Sequence, residues 1–277
     1  MILKTISLSD RYPNARVEAY LLDNTHCPKR RRPAMVVCPG GGYSGLSPRE
    51  AEPIALAYLR AGMNVFILYY GVKEEARNYA PLIQAAMTIR HIREHAEEYA
   101  VNPEQIMIVG FSAGGHLAAS AGILWNAPVV REALGITSET EGINRPNGMI
   151  LSYPVISGFA KAHQGSIFQL CGTTEPTDEQ RAAFSLELHV DEGTCPAFIW
   201  HTFTDELVPV ENSLLLMNAL AKSRIPFEAH IFPVGRHGLA LSSEETGIYP
   251  DVEHMPHTEH WIPLSIEWSK LLLGNMA

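Results

Sequence analysis

No apolar run in this chain is long enough to span a bilayer. The first residues carry Lys4, Ser7, Asp10 and Arg11 where an export leader needs an uninterrupted apolar stretch. Neither a membrane protein nor an exported precursor is expected. Cysteine is also scarce: Cys27, Cys38, Cys171 and Cys195 form no C-x-x-C pair and no dense framework, which argues against a metal knuckle or a disulfide scaffold. Free thiols in a reducing cytoplasm are the expectation, with Cys38 a small core residue. Positive charge is in deficit, with 21 Lys and Arg against 30 Asp and Glu and a net charge of −9. That balance disfavours nucleic acid and anionic membrane as partners and favours a neutral small molecule. The single basic run, Lys29-Arg30-Arg31-Arg32, lies between prolines and reads as a solvated loop. Internal repeats and low-complexity linkers are absent.

The 277 residues are 46% hydrophobic and 18% charged, enough apolar material for one large α/β domain over 1–277. Residues 2–8 and 17–22 predict an antiparallel pair of edge strands. Strands are expected at 34–38, 64–70, 105–109, 149–155, 197–203 and 227–232, each short, apolar and without helical period. Between them, helices are predicted at 80–99, 114–124, 210–222 and 259–273, the last packing Trp261 and Trp268. Another should start at Ser47 as N-cap, with Pro48 at the first helical position and the acid Glu50 in the first turn, and run to about 61. This alternation means a mostly parallel sheet covered by helices on both faces. Residues 156–195 break the rhythm, with Phe168, Leu170, Phe184, Leu186 and Leu188 among polar residues. They read as a small cap or lid inserted over the carboxyl end of the sheet.

Gly110-Phe111-Ser112-Ala113-Gly114 follows the 105–109 strand and opens the 114–124 helix. A G-x-S-x-G pattern in that context is a nucleophile elbow, with Ser112 pushed out of a sharp turn. A serine hydroxyl needs a base, and the base needs a carboxylate to fix its tautomer. In this architecture the acid follows a late strand and the histidine follows the last one. Asp205 meets the first condition, with the adjacent Glu206 as its rival. Among twelve histidines, His237, between Gly235 and Gly238, meets the second. His116 is expected to pack beneath the elbow and His201 to be a satisfied core histidine. His254, His257 and His260 have suggestive spacing but spread over a loop and a helix start, so no metal is expected. Donors for a tetrahedral oxyanion would come from the Ala113 amide and the glycine run Gly40-Gly41-Gly42 after the 34–38 strand.

Pro39-Gly40-Gly41-Gly42-Tyr43, Gly110-Phe111-Ser112-Ala113-Gly114-Gly115-His116, Thr204-Asp205-Glu206-Leu207-Val208-Pro209 and His237-Gly238-Leu239 together resemble the α/β-hydrolase superfamily. More narrowly, they resemble microbial carboxylesterases and acetyl-xylan-esterase-like sugar-ester hydrolases. The resemblance implies an α/β-hydrolase fold and a cofactor-free carboxylesterase with Ser112 as nucleophile, Asp205 and His237 as its partners, and Gly41, Gly42 and Ala113 as oxyanion donors. Pro39 replaces the histidine of hormone-sensitive-lipase-like esterases, and about thirty residues before the first central strand are too few for their helical cap. Both departures point away from lipid. The expected substrate is a short acyl ester, small or oligosaccharide, with Tyr43 and Val208 crowding the acyl side. A serine peptidase or small-amide hydrolase, a non-catalytic binding protein and a homo-oligomer stay open at this level.

Overall fold

Apolar runs become the centre of a single sheet in the computed structural model, which describes residues 1–159, 161–247 and 255–274. Its strands are β1 (Ile2–Ser7), β2 (Arg16–Leu21), β3 (Arg32–Cys38), β4 (Asn64–Tyr69), β5 (Val101–Phe111), β6 (Gly148–Ser152), β7 (Ala197–Thr202) and β8 (Phe227–Phe232). They lie in the order β1-β2-β4-β3-β5-β6-β7-β8. β1 and β2 pair antiparallel at one edge, and β3 to β8 run parallel. The mostly parallel sheet expected from the alternation is therefore present.

Successive side chains of the central strands feed two cores, as the period of two requires. Val36, Ile108, Leu151 and Ile199 pack with Ile83 and Ile89 of α2 (Ala80–Glu94), Leu117 of α3 (Ala113–Ile123) and Leu216 of α7 (Glu211–Lys222). Met35, Val37, Val109, Ile150 and Trp200 pack with Ile54 and Tyr58 of α1 (Glu52–Arg60) and with Trp261 and Trp268 of α9 (Trp261–Leu273). Helices thus cover both faces. Among the described residues, no helix is long and apolar enough to cross a membrane.

Several boundaries differ from expectation. Ser47 makes no side-chain cap bond; Pro48–Glu50 is a single 3-10 turn, and the backbone breaks at Ala51 before α1 begins. Just before that break, the Glu50 carboxylate turns into the protein interior instead of serving a helix N-terminus. The predicted 80–99 helix stops at Glu94, because Ala100 is claimed by the sheet: its carbonyl accepts the Arg32 amide at 2.9 Å. β6 ends at Ser152, where Tyr153 takes a φ of 37° and redirects the chain. The 156–195 region holds α5 (Gln164–Cys171) and α6 (Asp178–Ala183), the latter closed by a Thr177–Gln180 capping box. Leu170, Phe184 and Leu186 are buried there, whereas Leu188, expected in its core, is exposed. Two short helices, α4 (Pro128–Leu134) and α8 (Pro256–Glu259), are additional.

Candidate active site

The elbow forms because β5 and α3 meet with almost no space between them. A Cβ added at Gly110 would lie 2.0 Å from the Gly114 carbonyl oxygen, and one at Gly114 would lie 2.1 Å from that of Cys38 and 2.4 Å from that of Pro39. These neighbours are backbone and cannot swing aside. Ser112 sits at the turn with φ 54° and ψ −117°, a strained conformation for a residue with a side chain. Its amide donates to the Ser152 carbonyl at 3.0 Å, and its carbonyl accepts from the Val155 amide at 3.1 Å, which lock the turn to the end of β6. Gly114→Ala is expected to lower unfolding free energy by about 1–3 kcal/mol, as overpacking against fixed atoms does, and to misplace Ser112. Urea titration with parallel esterase assay checks both effects.

His237 lies in the loop after β8, and its Nε2 is 2.8 Å from Ser112 Oγ. On the other side, Nδ1 is 2.7 Å from Asp205 Oδ2. A carboxylate only accepts, so Nδ1 carries the proton and Nε2 is free to accept from the serine hydroxyl. Asp205 is buried in the loop after β7, where its Oδ1 accepts the Leu207 and Val208 amides at 3.0 and 2.9 Å. Burial alone would raise its pKa, but bonds from His201 and His237 and the Val208 amide outweigh burial and hold it below the usual carboxylate range. Glu206 is exposed and points elsewhere.

His201 is buried and hydrogen-bonded, as expected. Its Nε2 donates to the Val208 carbonyl at 2.9 Å and its Nδ1 accepts from the Ser213 hydroxyl at 2.8 Å. Sequence reasoning missed its further contact, Nε2 at 3.4 Å from Asp205 Oδ2, which orients the carboxylate from behind. His116 is saturated: Nδ1 pairs with the Tyr43 hydroxyl at 2.9 Å and Nε2 with the Phe184 carbonyl at 3.0 Å. Burial pushes its pKa down to about 4, so it is a neutral packing group beneath the elbow.

In front of the serine, Gly41 and Gly42 adopt φ of 132° and 64°, open to glycine and strained for other residues. Their amides donate to no acceptor among the described residues, and Ala113, as first residue of α3, has no intrahelical acceptor for its own. The Gly40 amide is different: it donates to Glu50 Oε2 at 2.8 Å. The amides of Gly41, Gly42 and Ala113 therefore stay without an acceptor among the described residues.

Tyr43 and Val208 do not offer the substrate-facing surface expected of them. Tyr43 is 1% exposed with its hydroxyl tied to His116, and Val208 is 0% exposed between Asp205 and His201. A residue the sequence did not single out, His163 at the start of α5, comes closer: its Cε1 would lie 3.5 Å from a Cβ built on Gly42. Its Nδ1 accepts the Ser166 amide at 3.3 Å, which leaves Nε2 as the donor in the neutral ring. Burial and the neighbouring His237 lower its pKa. Among the described residues no group of three or more His, Cys, Asp or Glu could hold a metal ion; His254 lies outside them.

A strained serine at the carboxyl end of a parallel sheet, with histidine and carboxylate in line behind it, defines an α/β-hydrolase with serine-hydrolase geometry. The chain belongs to the BD-FAE family, whose family model matches residues 22–220. It is 38% identical over 218 residues to endo-1,4-beta-xylanase B of Butyrivibrio fibrisolvens, covering 78% of this chain and 34% of that protein. It is 30% identical over 244 residues to an acetylxylan esterase of Xylanibacter ruminicola, covering 86% of this chain and 46% of that one. The chain thus spans less than half the length of these relatives. The crystal structure of an acetyl ester-xyloside bifunctional hydrolase from Caldicellulosiruptor lactoaceticus superposes with a TM-score of 0.82 at 34% identity, over 97% of this chain and 96% of that one.

Proposed function

We propose that this chain is a serine carboxylesterase that removes short acyl groups, acetyl foremost, from carbohydrate esters. The observation that carries the reading is the row Ser112–His237–Asp205, at 2.8 and 2.7 Å; the amides of Gly41, Gly42 and Ala113 are the donors this reading assigns to the oxyanion. In this scheme His237 Nε2 takes the Ser112 proton as Oγ attacks the ester carbonyl. The negative charge moves onto the carbonyl oxygen, where each backbone donor typically stabilises it by roughly 3–4 kcal/mol. The imidazolium then protonates the departing alcohol and the acyl group stays on Ser112. Water, deprotonated by His237, attacks that acyl ester and releases the acid.

The substrate class draws support from relatives named for xylan and acetyl esters, and from residues 156–195, read as a cap, which bring His163 against the oxyanion loop. Space on the acyl side is then small, while a polar alcohol can extend outward. Each added methylene that fails to fit costs roughly 1–3 kcal/mol. kcat/KM should accordingly fall steeply from C2 to C8 p-nitrophenyl esters, with acetate released from acetylated xylose or its oligomers. A profile rising toward C8 with no acetate from any sugar ester would exclude the proposal. Faster turnover of the matched p-nitroanilide than of the ester would point to an amide hydrolase instead. The four free thiols fit a reducing cytoplasm.

A further inference from the structure

Glu50 is a buried carboxylate that the reaction scheme does not use. It is 3% exposed, beside the elbow, with Oε2 accepting the Gly40 amide at 2.8 Å and Oε1 accepting the Tyr153 hydroxyl at 2.7 Å. The Tyr153 hydroxyl oxygen in turn accepts the Ala240 amide at 2.9 Å. One hydrogen-bonded chain therefore joins the loop bearing Gly41 and Gly42 to the loop bearing His237. Tyr153 is buried and strained at φ 37°, and its ring stands 5.0 Å from that of His237 and 4.9 Å from that of Trp200, edge on to both. A bulky residue held at positive φ needs surroundings that over-determine it. Here the strained conformation sets the phenol against the imidazole.

We propose that Glu50 and Tyr153 are positioning residues: together they hold the His237 ring and the oxyanion loop in register, and the Glu50 charge stabilises the imidazolium that forms when His237 takes the serine proton. This rests on the reading of Ser112 and His237 given above. Two donors on two oxygens suit the ionised carboxylate; burial holds the Glu50 pKa above the usual carboxylate value, partly offset by the bonds from Tyr153 and Gly40. The other charged or titratable groups around His237 are Asp205 and His201 from β7 and its loop, His163 from α5, the adjacent Arg236, and Arg49. Arg49 donates to the Gly238 and Thr246 carbonyls at 2.8 and 2.6 Å, bracing the histidine loop from the same turn as Glu50.

Tyr153→Phe and Glu50→Gln, both close in shape to the native residues, test this on p-nitrophenyl acetate in folded, purified protein. Each should lower kcat by about 10- to 100-fold with KM nearly unchanged, the range that small misplacements of catalytic groups produce. Removing a negative charge disfavours the imidazolium, so neutral histidine persists to lower pH. The acid limb of kcat/KM should thus move to lower pH in Glu50→Gln by roughly half a unit or more. If Glu50→Gln fails to fold, the kcat and KM of Tyr153→Phe decide. Near-native kcat in both variants, or losses that only track the folded fraction with the acid limb unmoved, would overturn the inference. His237→Ala in the same assay separates the two levels: if it stays active, the underlying reading fails, whereas if it is dead beside near-native Glu50 and Tyr153 variants, only this inference fails.

Discussion

Ser112→Ala is expected to lose ester hydrolysis by a factor on the order of 10⁶ in kcat, the scale at which loss of a nucleophilic serine leaves only oxyanion stabilisation and binding. The fold should survive. Ser112 is 7% exposed, and among the described residues its hydroxyl bonds only to His237 Nε2. Alanine keeps the same Cβ at the same strained φ of 54°, so the elbow neither gains nor loses backbone energy. Thermal unfolding within a few degrees of wild type, together with activity at the background rate, is the expected pair of results. Activity above a few per cent in the purified variant would mean that another residue attacks the ester.

Asp205→Asn should cost on the order of 10⁴ in kcat with little change in KM. The native carboxylate spends one oxygen on the Leu207 and Val208 amides and the other on His237 and His201. An asparagine oxygen can replace the first, because both amides donate. Its NH₂ group must then face His237 Nδ1, which is itself a donor in the working tautomer. Either that bond is lost or the proton moves to Nε2, where it blocks acceptance from Ser112. Glu206→Gln changes an exposed side chain and should leave kcat within about threefold, as surface changes do. Reversed effects of the two substitutions would mean that Glu206, not Asp205, orients His237.

What could be read in the sequence follows how local each feature is. The elbow is contiguous: a strand, a five-residue pattern and a helix of small residues stand side by side around Ser112. Asp205 and His237 are far from it in sequence, yet chain order after the late strands narrows the choice to single loops. Glu50 had no such handle. In sequence it reads as a first-turn acid of a helix, and its partners Gly40 and Tyr153 stand 10 and 103 positions away. The predicted helix breaks at Ala51, the residue next to that buried carboxylate. In sequence, Tyr43 and Val208 read as bulky residues beside the nucleophile that crowd the acyl side. In the fold, a positive φ at Tyr43 turns its ring inward onto His116, and no sequence pattern announces that. His201 is satisfied, as its place inside a strand implies, but its 3.4 Å contact to Asp205 depends on how the loop after β7 folds back over the strand.

In the proposed mechanism, Ser112 carries the acyl group between the two halves of the reaction. Incubation with a short-chain p-nitrophenyl alkylphosphonate, followed by intact-mass measurement and peptide mapping, tests it most directly. One phosphonyl group per chain is expected, attached to Ser112, with loss of activity in step and slower labelling in Asp205→Asn. Continued ester hydrolysis in fully treated enzyme without an adduct, or an adduct on any residue other than Ser112, would contradict it.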